Sequence, residues 1–247
     1  MFLITRKRST ALAIAISVVT FMAPKFVKAG ASAEDLVRKA DHRRGLQGSF
    51  TMIVKTIVDE RGEKTEQEYR VNVRDGETSL VEQVQPARAA GRKLLMKGFD
   101  MWLFTPQVKK PVRIGLQQRL TGDIANGDIS RTNYAQDYVA SIINREADGT
   151  VVIELKAKDK RVTYSRIKYW IEESTAKPVK AEFFALNGKL MKTATFSDFK
   201  KIEGTERMSK VVISDAVTKN RTSTLIYSKQ KTMKFSDSEF NKEQMDR

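Results

Sequence analysis

Four stretches of this chain alternate apolar and polar residues with a period of two, and that pattern constrains the fold more than any other feature. Tyr69, Val71 and Val73 alternate with Glu68, Arg70 and Asn72; Val151, Ile153 and Leu155 with Glu154 and Lys156. Ile167, Tyr169 and Ile171 alternate with Arg166, Lys168 and Glu172; Val179, Ala181 and Phe183 with Lys180 and Glu182. Side chains of a strand point alternately to its two faces, so each run reads as an antiparallel strand with one dry face. Glu60-Arg61-Gly62-Glu63, Arg74-Asp75-Gly76-Glu77, Ala147-Asp148-Gly149-Thr150 and Leu186-Asn187-Gly188-Lys189 supply the positive φ that tight hairpins need. Strands joined in this way predict a mainly β chain with a few helices, in which a meander of about eleven strands curls to limit its exposed edges.

Helical signals are few. Ser32 is placed to cap a helix that carries Leu36, Val37 and Ala40 on one stripe and ends at Gly45. Between Leu116 and Tyr138 the alternation fails, and Gly115, Gly122, Asn126 and Gly127 interrupt the chain. Asp128-Ile129-Ser130 reads there as a cap for a short helix ending near Tyr138. A last short helix is expected from Ser236 to Met245. No linker or repeat divides residues 30–247, which read as one domain.

The N-terminus has the layout of a secretory signal. Arg6, Lys7 and Arg8 precede an apolar run from Ala11 to Ala23, and Val27-Lys28-Ala29 offers a small-residue cleavage site. The run is shorter than the roughly 20 residues that span a bilayer. Cleavage after Ala29 removes five cations and no acid, which lowers the formal charge from +15 to +10. Export argues against nucleic acid as the partner of so basic a chain and favours anionic surfaces such as lipid headgroups, although a solvated basic surface has the same composition. The chain has no cysteine, so burial alone must hold the fold and no lipid can be attached at a mature N-terminal Cys. The expected location is the periplasm, without an anchor.

Catalytic and metal-binding constellations are missing from the sequence. His42 is the single histidine, and its position at the end of the first helix suits a partner for the last carbonyls. Asp123, Asn126 and Asp128 lie close together, but not at EF-hand spacing, and turn chemistry accounts for each of them. No nucleophile elbow, phosphate loop or zinc-protease motif occurs. The expectation is a protein that is not an enzyme and carries no metal or cofactor.

The most distinctive stretch is Gly91-Arg-Lys-Leu-Leu-Met-Lys-Gly-Phe-Asp-Met-Trp-Leu-Phe-Thr-Pro106, followed by Lys110-Pro-Val-Arg-Ile114, Arg119 and the Asn126-Gly-Asp-Ile129 loop. This resembles the LolA/LolB-like superfamily, in its branch of outer-membrane lipoprotein-sorting proteins. Similar strands of the branch match Tyr164 to Trp170, Pro178 to Phe183 and Gly188 to Lys192. The loop departs from the branch pattern, since Ala125-Asn126-Gly127-Asp128 stands where an aromatic and an Asp are common. The resemblance implies an unclosed antiparallel β-barrel whose apolar inner face is lidded by helices and shields acyl chains. It also implies an RND-type exporter as a partner, and we expect a monomer.

From the residues themselves, the face formed by Phe50, Met52 and Val54, the pair Leu94 and Met96, the pair Trp102 and Phe104, and Phe183 are candidate lipid-contacting positions. Met-rich and aromatic surfaces adapt to irregular apolar ligands. Plain core packing accounts for any one of these positions equally well. Arg70 and Arg113, opposite the apolar residues of their strands, read as surface charges. A different reading of the same chain is an adaptor with a solid core that docks an envelope complex through its basic face.

Overall fold

The computed structural model describes residues 30–245 apart from Thr132 and Lys219, so the predicted signal segment lies outside the described residues. Ser32 opens helix α1 (Ala33–Arg44) by accepting the Asp35 N–H on its hydroxyl at 3.2 Å. Strands β1 (Phe50–Glu60) and β2 (Glu63–Val73) meet at Arg61 and Gly62, whose φ angles of +56° and +93° make the tight turn that the sequence signals. The meander continues through β3 (Thr78–Gln85), β4 (Lys93–Lys97), β5 (Asp100–Thr105) and β6 (Val108–Ile114). A small hairpin, β7 (Arg119–Thr121) with β8 (Ile124–Ala125), leads into two very short helices, α2 (Asn126–Ser130) and α3 (Tyr134–Asp137). Strands β9 (Tyr138–Arg145), β10 (Thr150–Ala157), β11 (Arg166–Glu172), β12 (Pro178–Phe184) and β13 (Leu190–Ser197) form a second meander. After a side hairpin, β14 (Lys200–Ile202) with β15 (Thr205–Arg207), come β16 (Lys210–Asp215) and the long β17 (Arg221–Thr232).

Thirteen strands make one antiparallel sheet in the order β6-β5-β4-β3-β2-β1-β17-β16-β13-β12-β11-β10-β9. The two meanders are joined by the pairing of the first strand with the last, for example Val54 with Tyr227 and Thr56 with Leu225. The ends of the sheet, β6 and β9, do not pair with each other, so the barrel stays open. One face gathers Phe50, Met52 and Val54 with Tyr69, Val71, Ile153, Tyr169, Ala181, Phe183 and Leu225 into a single core. Leu36, Val37 and Ala40 of α1, Ile129 of α2 and Tyr134 of α3 complete that core. The described residues from 31 to 245 form one compact unit.

The fold class and the open barrel are as the sequence implies, with local differences. The main sheet has thirteen strands where about eleven were expected, and β7–β8 and β14–β15 add two small hairpins. Strands of two or three residues are too short to show alternation. Asp128 lies inside α2, where its carboxylate accepts the Ala125 N–H at 2.7 Å, and the single helix expected before Tyr138 is broken into two. The expected C-terminal helix is a pair of 3-10 turns, Asp237–Phe240 and Lys242–Gln244. Val179 is exposed because the ladder slips there: Trp170 pairs with Lys180 and Ile171 with Pro178, leaving Val179 as the extra residue of a bulge. Gly45 ends α1 in extended conformation instead of the left-handed one. The last carbonyls of α1 are taken by the Met208 N–H to Arg43 and by Arg207 Nε to Gly45. His42 makes no hydrogen bond among the described residues, so the carbonyl-binding role expected of it falls to Arg207 and Met208.

Candidate functional site

Alternation places the predicted contact residues without ambiguity. Phe50, Met52, Val54, Leu94 and Phe183 are buried on the inner face in the main core. Met96 shares that face but packs in a side cluster with Met101 and Leu116. Trp102 and Phe104 are on the other side of the sheet: Trp102 pairs with Leu95 while Leu103 pairs with Leu94. There they lie under the C-terminal turns, with Leu95, Phe240 and Met245. They therefore cannot share a ligand with the inner-face set. Both faces of β5 are apolar because both are covered, which hid the assignment from sequence.

The inner face also holds polar groups that the search for apolar residues passed over. Asp41 and Arg44 lie on the same face of α1 as Leu36, Val37 and Ala40, and both are buried. Arg44 Nη1 donates to Asp41 Oδ1 at 3.2 Å, and the guanidinium stacks on the Tyr134 ring at 3.7 Å. Asp41 Oδ2 accepts the Ala135 N–H at 2.8 Å. Burial pushes the Asp41 carboxyl up to about 6, against the opposing pull of Arg44 and the Ala135 N–H. Tyr134 stands edge-on to Tyr138 and Tyr169 at 5.6 and 5.7 Å between ring centres. The phenol of Tyr134 is raised to about 12 by burial, and those of Tyr169 and Tyr227 are raised by the same cause. All six tyrosines of the chain belong to this core.

The covering elements are held by charge. Arg221 of β17 grips Asp123 with Nε at 2.9 and 3.0 Å from the two carboxylate oxygens, and Ser223 Oγ accepts the Asp123 N–H at 3.0 Å. Lys192 of β13 donates to Asp128 Oδ2 at 2.6 Å and to the Asp123 carbonyl at 2.7 Å. Tyr164 donates to Asp128 Oδ1 at 2.7 Å. The loop carboxylates Asp123 and Asp128 are thus committed to cations and a phenol. Gly122 has φ +51°, and a Cβ there would lie 2.5 Å from Ser223 Oγ; a Cβ on Gly127 would overlap Thr163 Oγ1. Between the two helices, Arg131 forms a buried fork on Asp137 with both bonds at 2.5 Å and also donates to the Gly98 carbonyl at 3.1 Å. Arg70 pairs with Glu82 at 2.9 Å and Arg113 with Asp100, both at the surface as expected.

Open clefts lie elsewhere. One of about 680 Å³ is walled by Arg38, Lys39, His42 and Arg43 of α1 and by Thr175 and Glu206. Another of about 240 Å³ is lined by Asp123, Tyr164, Met191 and Lys192. Neither is lined by Phe50, Met52 or Val54, which are buried and packed in the main core.

A solved LolA superfamily protein from Nitrosomonas europaea is 35% identical, with a TM-score of 0.82, over 85% of this chain and 98% of its own. The chain belongs to the LolA superfamily. A family model described as "Uncharacterized protein" also matches residues 75–247. The fold recurs in an outer membrane lipoprotein-sorting protein domain from Vibrio parahaemolyticus, at 20% identity and TM-score 0.73 over 87% of this chain and 98% of the other. It recurs again in a DUF1329 family protein from Desulfovibrio piger, at 22% identity and TM-score 0.71 over 85% and 95%. No curated protein matches the chain.

Proposed function

We propose that this LolA superfamily member is a periplasmic, non-enzymatic carrier that takes acyl chains of lipids or lipoproteins onto its inner face and delivers them toward the outer membrane. The observation that carries this reading is how the inner face is closed: three helices of twelve, five and four residues cover it instead of a second sheet. A cover of that size is exchangeable. Transferring ten methylenes from water to the inner face is worth about 8 kcal/mol. The hydrogen bonds that hold α3, to Asp41, Lys158 and Arg131, involve charged groups and contribute about 1.5–3 kcal/mol each. An incoming chain of that length matches several of them, and it displaces α3 by replacing the apolar contacts the helix made. The lipoprotein-sorting domain from Vibrio parahaemolyticus shares the architecture. The carrier acts as a monomer, with an RND-type exporter as its proposed membrane partner.

Native mass spectrometry of protein purified from the periplasm tests the reading, paired with displacement of a neutral fluorescent probe by phospholipid. Co-purified lipid and saturable displacement are expected. A lipid-free mass together with no probe uptake would sink the proposal.

A further inference from the structure

A face built only to hide hydrocarbon has no use for a buried cation. Removing a guanidinium and a carboxylate from water costs several kcal/mol that their mutual attraction rarely returns in full. Arg44 and Asp41 nevertheless sit buried with the inner-face core, where the Tyr134 ring stacks on the guanidinium and the phenols of Tyr169 and Tyr227 are near enough to act on its charge. The Tyr169 hydroxyl, on a fully buried side chain, has no hydrogen-bond partner among the described residues. A buried hydroxyl left in that state is destabilising unless something else uses it.

The polar groups that close over this cluster come from α3. Tyr134 covers the guanidinium, and the Ala135 N–H occupies Asp41. Displacement of α3 removes both at once. Arg44, still paired with Asp41, then faces the opened apolar surface, with Tyr169 nearby. We propose that the Arg44–Tyr169 cluster is a headgroup site for an anionic amphiphile, whose acidic oxygens replace the Tyr134 ring on Arg44 and accept the Tyr169 hydroxyl while its chain lies along Phe50, Met52 and Val54. This rests on the carrier reading and narrows the cargo to acids with an acyl tail, carboxylate or phosphate.

The test compares ligands that differ only in the head. Oleate is set against oleyl alcohol, and dioleoyl phosphatidic acid against dioleoylglycerol, each displacing N-phenylnaphthylamine from the full mature chain. The acid of at least one pair should bind about tenfold more tightly than its neutral partner, in line with a charge-assisted hydrogen bond. Preference in the first pair alone assigns a carboxylate, and in the second alone a phosphate. Arg44→Gln should bring the ratio to about one. Tyr169→Phe should weaken the acid about threefold or more while leaving the melting temperature unchanged or higher, which a purely structural hydroxyl would not do. That variant decides the matter if Arg44→Gln does not fold. Equal binding of acid and neutral lipid overturns the headgroup site and leaves the carrier standing; no displacement by any lipid overturns both.

Discussion

The α2 segment and α3 cover the same inner face only three residues apart, yet they are attached to different things. The α2 segment is fastened to the sheet, Asp123 to Arg221 and Ser223 of β17 and Asp128 to Lys192 of β13, and Gly127 lies against Thr163 of the β10–β11 connection. Helix α3 is fastened to other covering pieces and to Arg131, whose buried fork holds its Asp137, and among the described residues it has ring contacts but no ion pair to a strand. Its Ala135 N–H goes to Asp41 and its Tyr134 ring to Arg44, both on α1. Its last turn is held by Lys158 Nζ, at 3.3 and 2.9 Å from the carbonyls of Ala135 and Gln136. A buried ion pair into a strand cannot loosen without exposing an uncompensated charge, whereas a ring on a guanidinium can be exchanged for another partner. In the carrier proposed above, the α2 segment is therefore part of the wall and α3 the part that moves.

The largest expected effect tests the wall. Arg221→Ala leaves Asp123 buried without its fork and should destabilise the protein by about 3–5 kcal/mol in urea unfolding. A loss below about 1 kcal/mol would mean that the α2 segment is no better fixed than α3. The α1–α3 joint is tested by pH. Burial raises Asp41 to about 6 from an ordinary value of 3.8, so the folded state favours its neutral form. Stability from this group is fully present below about pH 4 and declines as pH rises through 6, by up to about 3 kcal/mol. Asp41→Asn should flatten that slope in thermal melts between pH 4 and 7.

Gly127→Ala should cost about 1–3 kcal/mol through overlap with Thr163, and Thr163→Ala should restore most of it in a double-mutant cycle. Tyr134→Leu should cost only about 1 kcal/mol, because it removes edge contacts and a cation–π stack while keeping an apolar side chain. It should also speed the uptake of an apolar probe in stopped-flow mixing. Unchanged uptake would move the opening away from α3.

The strands of this fold can be read in the sequence because one dry face imposes a period of two, as in Tyr69, Val71 and Val73. The turns can be read because Gly62, Gly76, Gly149 and Gly188 all adopt the positive φ their sequence context demands. The site is less legible, for two reasons. Trp102 and Phe104 look like cavity residues, but they face a C-terminal segment that lies far away along the chain. Asp123 and Arg221 are 98 positions apart, and no local pattern joins them. Asp41 and Arg44 could have been found: with Leu36, Val37 and Ala40 they complete one helical face, and a charged residue on a buried stripe is the signal.

The partition of aromatic residues across the sheet has a practical use. All six tyrosines lie in the core under the helices, while Trp102 and Trp170 project from the opposite side, the first beneath the Lys242 ammonium and the second beneath those of Lys168 and Lys180. Near-ultraviolet absorbance therefore separates the two sides without any label. Hydration of the phenols on opening should shift the tyrosine bands, and the indole bands should stay still as an internal reference.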